Sequence, residues 1–173
     1  MAAVDSTRVL IAAYSKCCIQ ELNLESNSLQ TYIGSSCGGS ASYNGHRLTA
    51  VNIWSPFGIA VESSAKIFVS IFSAQEVVAM SISGDEITST IYSTSSYRPR
   101  YLSLGDDPTS IYLTLAHAFG VYHMDEQRLE IIAGSTGSGS EAADVSSLQF
   151  NKPCAFAKVD SSTWFITEFS NSR

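Results

Sequence analysis

Positive charge is scarce in this chain. The 173 residues include 10 Lys and Arg against 16 Asp and Glu, which gives a net charge of −6 at pH 7. A nucleic-acid surface neutralises phosphates with clustered Lys and Arg, and no such run occurs here. Attraction to anionic lipid needs the same clusters. We therefore expect neither a nucleic acid nor a charged membrane surface as the partner.

Long apolar runs are also missing. No stretch approaches the roughly 18 to 20 apolar residues of a membrane-spanning helix, so we expect no membrane span. Residues 1–7 lack the positive segment and the apolar run of a signal peptide. The compartment stays open between the cytosol and, with the signal removed or outside this chain, the cell surface or exterior. Abundant serine and a charged fraction of 15% slightly favour the exterior.

Signatures of catalysis and of cofactor binding are absent too. The Gly-rich stretch 134–139 has no Lys-Ser/Thr ending and no helix after it, so it lacks the features of a phosphate site. The Ser-x-x-Lys spacing at 63–66 falls in a hairpin turn, and 106–108 lacks the alternating oxygen ligands of a calcium loop. Neither paired Cys-x-x-Cys motifs nor spaced His ligands predict zinc. We expect no cofactor, no metal and no enzymatic activity.

Repeats of strand-forming residues are what the sequence does contain. A Gly-rich loop, a proline and two apolar strands occur in the same order twice, from 34–39 through Pro56 and from 134–139 through Pro153. A third copy without the loop spans 99–115. The length fits one domain, and the absence of extended helical periodicity excludes a helical solenoid. Repetition on this scale predicts stacked equivalent units.

The spacing of the prolines predicts that each unit has four strands. Pro56 to Pro99 encloses four apolar segments, and so does Pro99 to Pro153. The segments are 57–61, 67–71, 77–82 and 87–92 in the first interval and 101–104, 111–115, 121–124 and 129–133 in the second. Four strands in roughly 40 to 45 residues is the period of a β-propeller blade. The predicted fold class is all-β, a β-propeller of four-stranded antiparallel blades whose ring is incomplete in this chain.

The motif around the prolines resembles the NHL-repeat family of β-propellers. Trp54-Ser55-Pro56 and the run from Phe150 to Pro153 match its aromatic residue before proline, and 168–173 matches its Asn-x-Arg turn. The resemblance covers most of the chain 1–173 and implies one propeller segment. Its parts are a partial blade at 1–34, blades at 56–92 and 99–133, a partial blade at 153–173, and Gly-rich loops at 34–55 and 134–152.

The predicted strand count leaves the ring open. The blades supply three, four, four and two strands, because the first lacks its opening strand. Such a piece exposes strand edges, which proteins avoid. We therefore expect it to be completed by the remainder of a larger propeller or by other copies of itself.

Partner contacts are predicted at one end of the strands. The turns after the second and fourth strands of each blade emerge there with the two long loops, and loops on a rigid scaffold commonly carry binding. Aromatic residues and Arg are the residues that anchor interfaces. The predicted contact residues are Tyr43, His46, Arg47, Trp54, Phe72, His117 and Phe169. For Trp54, as for Phe150, packing within the blade is the competing interpretation.

Cysteine adds one candidate crosslink. Cys17 and Cys18 follow a second strand and Cys37 lies in a loop at the same end, so a bridge from either member of the pair to Cys37 is reasonable. Four reduced thiols are the alternative. Cys154 is expected to be a small buried apolar residue.

The function predicted from these features is a non-enzymatic protein-binding or assembly module that binds its partner through the loop end. One alternative is a structural subunit of an extracellular or surface filament that polymerises through open strand edges. A second is a propeller-type hydrolase or lyase with a metal site, which the family resemblance permits. Such an enzyme needs acidic and His residues on its innermost strands, and the segments 57–61, 101–104 and 154–157 contain none.

Overall fold

The computed structural model describes residues 1–34, 37, 41–134, 148–160 and 162–169. Within these residues the chain forms fifteen β-strands and one short 3-10 helix, without an α-helix. Every strand pair is antiparallel. The predicted all-β class is therefore confirmed. Most of the predicted loop 134–152 and the predicted turn 168–173 beyond Phe169 lie outside the described residues.

The first sheet has four strands in chain order. They are β1 (Ala2–Ala3), β2 (Arg8–Ala13), β3 (Cys18–Asn23) and β4 (Ser28–Ile33). The predicted count of three strands was wrong, because the short β1 pairs Ala2 with Leu10 and Ala3 with Val9. Two residues with small side chains gave no apolar pattern from which a strand could be predicted.

The second sheet has five strands in the order β5-β9-β8-β7-β6. They are β5 (Gly45–His46), β6 (Pro56–Ser63), β7 (Lys66–Ile71), β8 (Glu76–Ser83) and β9 (Glu86–Ser93). The added strand β5 comes from the predicted loop 34–55 and pairs with the outer edge of β9. Val51 and Ile53 of this loop are fully buried. The loop is therefore partly a cover for the core, where the sequence predicted a projecting binding loop.

The third sheet has four strands and the fourth has two. They are β10 (Leu102–Leu104), β11 (Ser110–Thr114), β12 (Ala118–His123) and β13 (Arg128–Gly134) in the third sheet, and β14 (Pro153–Lys158) and β15 (Trp164–Glu168) in the fourth. The turn between β11 and β12 is short, because β12 already begins at Ala118, and Phe119 is buried.

The sheets pack face to face in chain order, with one core cluster between each adjacent pair. Ile67 and Val69 of β7 face the first sheet, while Phe68, between them, faces the third. Successive residues of a strand point to opposite faces, so a sheet covered on both sides needs the continuous apolar run seen in β7. Phe119 and Phe150 pack with Trp164 between the third and fourth sheets.

One edge strand from each of the first three sheets lines a common cavity. β6 packs against β2 of the preceding sheet and β10 of the following sheet, and β11 packs against β14. The cavity has a volume of about 250 Å³. Its lining comes from β1, β6 and β10 and consists of Ala2, Ala3, Ile59, Ala60, Val61, Leu102, Ser103 and Leu104, with Met1 and Tyr101 beside them. β1, β6, β10 and β14 are called the inner strands below.

Candidate functional site

Three aromatic rings from two sheets meet where the inner strands begin. Tyr14 lies in the 3-10 turn Tyr14–Lys16 between β2 and β3, Phe57 is the second residue of β6, and Phe72 directly follows β7. The ring centroids are 5.9 Å apart for Tyr14 and Phe57, 6.5 Å for Tyr14 and Phe72, and 5.8 Å for Phe57 and Phe72. These separations lie in the favourable range for aromatic pairs. Half of the Tyr14 surface, 49%, remains exposed to solvent.

Two arginines from the segment that enters β10 cover these rings. The Arg98 guanidinium carbon lies 5.4 Å from the Phe72 centroid. The Arg100 guanidinium carbon lies 5.1 Å from the centroids of both Phe57 and Phe72. A cation over an aromatic face at this distance contributes about 0.5 to 2 kcal/mol, and more as water is excluded. We call the five residues Tyr14, Phe57, Phe72, Arg98 and Arg100 the aromatic end.

Arg100 carries its charge in a half-buried position. Burial lowers the pKa of Arg100, although a guanidinium stays protonated in proteins. Its Nε is buried and has no hydrogen-bond partner within the part of the chain that the structure describes. No carboxylate of the described residues lies within ion-pair distance of Arg98 or Arg100. The rings therefore stabilise this charge, and no described carboxylate neutralises it.

A buried hydroxyl fixes the backbone of Arg100. Ser70 of β7 is fully buried, and its Oγ accepts a hydrogen bond of 2.7 Å from the Gly58 N–H. The same hydroxyl donates to the carbonyl oxygen of Arg100. A Cβ at Gly58 would collide with that carbonyl oxygen, so the close approach of β6 to Arg100 requires glycine. The Arg100 N–H donates to the carbonyl oxygen of Thr114 at 2.8 Å.

A disulfide lies beside the aromatic end. Cys17 follows the Tyr14 turn and is bonded to Cys37, while Cys18 is a free, buried thiol whose pKa burial raises. Cys17, Cys37, Trp54 and Ser55 line a cavity of about 210 Å³, and the Phe72 N–H donates to the Ser55 carbonyl oxygen at 3.1 Å. The bridge and the cavity therefore adjoin Tyr14 on one side and Phe72 on the other.

The opposite end of the inner strands is built from acidic turns. Asp5, Asp107 and Asp160 occupy equivalent turns after β1, β10 and β14, and each carboxylate accepts the N–H of the residue two positions later. Hydrogen bonds lower the pKa of all three carboxyl groups: chiefly that from the Thr7 N–H for Asp5, to about 2, that from the Ser110 hydroxyl for Asp107, and that from the Ser162 N–H for Asp160. Cations are paired here, Arg8 with Asp5 at 2.8 Å and Lys158 with Asp106. We call this region the acidic end.

Three predicted contact residues lie elsewhere than expected. Tyr43 is only 7% exposed, and its hydroxyl donates to a Glu76 carboxylate oxygen at 3.2 Å; burial beside that carboxylate raises its pKa. His46 belongs to β5, where its Nδ1 accepts the Leu48 N–H. Arg47 pairs with Asp85 at 2.9 Å on the outer edge of the second sheet. These positions follow from the packing of loop 34–55 along β9, which places the three residues away from the aromatic end.

The remaining predicted residues are divided between the aromatic end and the fourth sheet. Phe72 belongs to the aromatic end, and Trp54 is exposed in the adjoining cavity. The His117 Nδ1 lies 3.3 Å from the Phe150 carbonyl oxygen, between the third and fourth sheets. Phe169 is exposed beside Lys152, whose Nζ is 6.0 Å from the ring centroid. Cys154 is half-buried on β14, and its thiol donates to the Lys152 carbonyl oxygen.

Sequence reasoning missed Tyr14, Phe57, Arg98 and Arg100. One signal was available, because an aromatic residue directly follows the second strand in three sheets, as Tyr14, Phe72 and Phe169. A second signal was the pair of arginines on either side of Pro99 in a chain that has 10 cationic side chains. Neither signal shows that the two groups meet, since that depends on how the sheets stack.

Metal sites and membrane spans were sought in the described ranges. No group of three or more His, Cys, Asp and Glu side chains is placed there to hold a metal ion. No helix of these ranges is long and apolar enough to cross a membrane.

Comparisons with known proteins find similarity in structure but not in family. No protein-family model and no curated protein matches the chain, so membership of the NHL-repeat family is not shown. A solved structure of an auxiliary nutrient binding protein from Bacteroides thetaiotaomicron is similar at a TM-score of 0.48 and 11% sequence identity. The match covers 88% of this chain and 45% of that chain, so this chain spans less than half of the length of its neighbour. At this similarity no function is transferred from the neighbour.

Proposed function

We propose that this chain is a segment of an NHL-like β-propeller that binds a protein partner through the aromatic end, without catalysis. The propeller is supported by the stacking of successive meander sheets in chain order. It is also supported by the common cavity of β1, β6 and β10, because the first strands of propeller blades surround a central channel.

The observation that carries the binding proposal is the group of three rings and two arginines at one surface. Tyr and Arg are enriched among the residues that dominate binding energy, and such residues cluster in one patch. Tyr14 offers a half-exposed ring, and Arg98 and Arg100 offer charge that no described carboxylate neutralises. A partner that covers this surface gains both apolar burial and charge pairing.

The surface is also held rigidly, which lowers the entropic cost of binding. Ser70 fixes the backbone at Arg100, and the Cys17–Cys37 bridge ties the Tyr14 turn to the loop beside Trp54. Backbone that is fixed by a buried hydroxyl and a crosslink loses little freedom when a partner docks. This favours recognition by the aromatic end over recognition by a mobile loop.

The absence of catalysis is proposed from the chemistry of the inner strands. The side chains that line their common cavity are Ala, Ile, Val, Leu, Ser, Met and Tyr, without a carboxylate or an imidazole among the lining residues. General acid-base chemistry needs a titratable group near its operating pH within reach of a substrate. This lining suits packing and offers neither a carboxylate nor an imidazole for that role.

The test is a selection of randomised short peptides displayed on phage against the immobilised chain. We expect enriched peptides whose affinity falls about tenfold or more in the Tyr14→Ser variant, which is the effect of losing an anchoring ring. Leu24→Ser is the matched control, because Leu24 is similarly exposed (53%) in the turn between β3 and β4, at the opposite end of these strands from Tyr14. Affinities are measured by calorimetry.

Two results would count against the proposal. One is enrichment of peptides that bind the Tyr14→Ser variant as tightly as the unmodified chain. The other is an equal loss in Leu24→Ser and Tyr14→Ser, which would indicate a general change in the protein. Circular dichroism of both variants shows whether the fold is kept.

A second candidate function, an assembly subunit, is favoured by the exposed surface of the fourth sheet. β15 pairs only with β14 in the part of the chain that the structure describes, and Phe165 on β15 is 67% exposed. An unpaired apolar edge can accept a strand from another chain. If copies associate there, Phe165→Lys should lower the sedimentation coefficient at high concentration, whereas Tyr14→Ser should leave it unchanged.

A further inference from the structure

The cationic side chains of this protein fall into two groups. Those of the first group each lie within 4 Å of a carboxylate oxygen; they are Arg8, Arg47, Lys66, Arg128 and Lys158. The second group has no carboxylate partner among the described residues and consists of Lys16, Arg98, Arg100 and Lys152. Within it, Arg98 and Arg100 lie over the same ring, that of Phe72, so the aromatic end is where two of these cations meet.

The rings do not supply the hydrogen-bond acceptors that the guanidinium of Arg100 needs. Phe57 and Phe72 attract the guanidinium through their faces, but a ring face does not replace an oxygen acceptor in the guanidinium plane. The buried Nε of Arg100 has no acceptor within the described ranges. A desolvated N–H without an acceptor costs free energy, and the charge left without an acceptor favours an external anion at the exposed part of this half-buried side chain.

We propose that the aromatic end binds a carboxylate side chain of a protein partner, an Asp or Glu flanked by an apolar residue. The proposal rests on the proposed function and names the chemistry that the partner presents. The planar fork of a guanidinium matches the two oxygens of a carboxylate, and such charge-assisted pairs are stronger than neutral hydrogen bonds. Arg98, over the same Phe72 ring, adds a second cation beside the first.

The apolar flank has a place next to the arginines. The cavity lined by Cys17, Cys37, Trp54 and Ser55 has a volume of about 210 Å³ and adjoins Phe72 through the hydrogen bond from the Phe72 N–H to the Ser55 carbonyl oxygen. A carboxylate on the arginines therefore brings the neighbouring side chain of its peptide to the Tyr14 ring and the disulfide.

The charge of the whole chain favours a single carboxylate over a polyanion. The net charge of −6 and the acidic end repel ligands that carry many negative charges. A single carboxylate within an apolar segment is attracted by the two nearby arginines, and its one charge is only weakly repelled by the rest of the chain. A peptide of mixed apolar and acidic residues fits both conditions.

The experiment begins with the peptides selected on the unmodified chain. Each enriched peptide is resynthesised with its Asp or Glu replaced by Asn or Gln, and both forms are titrated against the unmodified chain, Arg100→Gln and Arg100→Lys. We expect the amide form to bind at least about tenfold more weakly. Arg100→Gln should abolish the difference between the two forms, and Arg100→Lys should restore only part of it, because an ammonium lacks the fork. Arg128→Gln, at an exposed position of the third sheet, is the control.

A side-chain NMR signal gives a readout that a structural role would not move. The Nε–H resonance of Arg100 should shift when the acidic peptide is added and stay in place with its amide form.

A competition experiment with 3-phenylpropionate, a small free carboxylic acid, tests whether the site needs a peptide. If it competes as strongly as the peptide does, the site takes a small carboxylate and the assignment to a protein partner is overturned.

The other outcomes separate this inference from the proposed function. Peptides that depend on Tyr14 but bind equally as acid and amide overturn the carboxylate and leave the binding function intact. If a peptide needs its carboxylate but binds the Arg100→Gln variant as tightly as the unmodified chain, the assignment of the carboxylate to Arg100 is overturned. Failure to obtain any peptide that depends on Tyr14 overturns both.

Discussion

The two ends of the inner strands differ in whether their charged side chains have partners within the protein. At the acidic end, charged side chains have partners within the protein. Asp5 accepts a hydrogen bond from the Thr7 N–H and forms an ion pair with Arg8, and Asp107 accepts hydrogen bonds from Thr109 and Ser110. At the aromatic end, Arg100 lies over two rings with its Nε unpaired among the described residues. Abundant charge therefore marks the end whose side chains pair with one another, and the aromatic end, with two cations that lack a carboxylate, is the end that we propose for binding.

The difference has a simple cause in turn chemistry. A turn with Asp followed two residues later by Ser or Thr closes by local hydrogen bonds. The carboxylate in each turn of the acidic end therefore finds its hydrogen-bond donors within the same turn. The aromatic end is assembled from four parts of the chain, those of Tyr14, of Phe57, of Phe72, and of Arg98 with Arg100. Side chains brought together by sheet stacking lack the local hydrogen-bond partners that the acidic turns supply.

The largest expected effect on the free energy of unfolding comes from removing the disulfide beside the aromatic end. The Cys17–Cys37 bridge spans a sequence separation of 20, and a crosslink of this span contributes roughly 3 kcal/mol. We expect the Cys17→Ser, Cys37→Ser double variant to unfold at lower urea concentration by about that free energy. Cys154→Ser, which removes a free thiol, is the control and should match the unmodified chain.

Reductant offers the complementary measurement for the same bridge. Reducing agent should lower the urea midpoint of the unmodified chain and leave that of the double variant unchanged. Equal midpoints with and without reductant in the unmodified chain would contradict the assignment of a stabilising bridge. Amide hydrogen exchange should show the loss of protection at the Tyr14 turn and not at the turn of Asp107.

A smaller effect is expected from two glycine substitutions, one near each end. Gly58→Ala places a Cβ against the carbonyl oxygen of Arg100, and such overpacking costs about 1 to 3 kcal/mol. Gly84→Ala meets no neighbour, but its φ of 61° disfavours a side chain, at a cost of about 1 to 2 kcal/mol. Both variants should be destabilised, and only Gly58→Ala should also weaken peptides that depend on Tyr14. Equal affinities of the two variants would break the link between Gly58 and the site.

The sequence predicted the strands well because their apolar segments are continuous. Segment 67–71 corresponds to β7, Lys66–Ile71, whose residues pack on both faces of the second sheet. β1 was missed because Ala2 and Ala3 are small and pair through the backbone alone. β5 was missed because the pairing of Gly45 with Ile87 bridges residues far apart in the chain, and no local pattern records such a contact.

The candidate site was less predictable than the strands. Phe72 was predicted from its turn, and Tyr14 could have been found at the equivalent position after β2. Tyr43 was chosen by residue type, yet it is buried against Glu76, because a loop of this length can fold back onto the sheet. The meeting of Arg100 with Phe57 depends on the stacking of two sheets and on the small volume of Gly58, which only the three-dimensional structure reveals.

The smallest expected effect is the pH dependence that the acidic end imposes on stability. The folded pKa of Asp5 is lowered to about 2, mainly by the backbone N–H of Thr7 and then by Arg8. The pKa of Asp107 is lowered mainly by the Ser110 hydroxyl, and that of Asp160 mainly by the Ser162 N–H. An unfolded Asp titrates near about pH 3.9, so the unfolded chain takes up protons first as the pH falls.

The contribution of these aspartates to stability is therefore complete above about pH 4 and is lost as the pH falls toward about 2. We expect the urea midpoint to decrease over this window. An Asp5→Asn, Asp107→Asn, Asp160→Asn variant keeps an oxygen acceptor in each turn, and its midpoint should change less across the same window. Asp125→Asn, in the turn between β12 and β13, controls for the loss of one charge. A triple variant as sensitive to acid as the unmodified chain would show that these turns do not set the acid stability, because three exposed carboxylates would then titrate alike in both states.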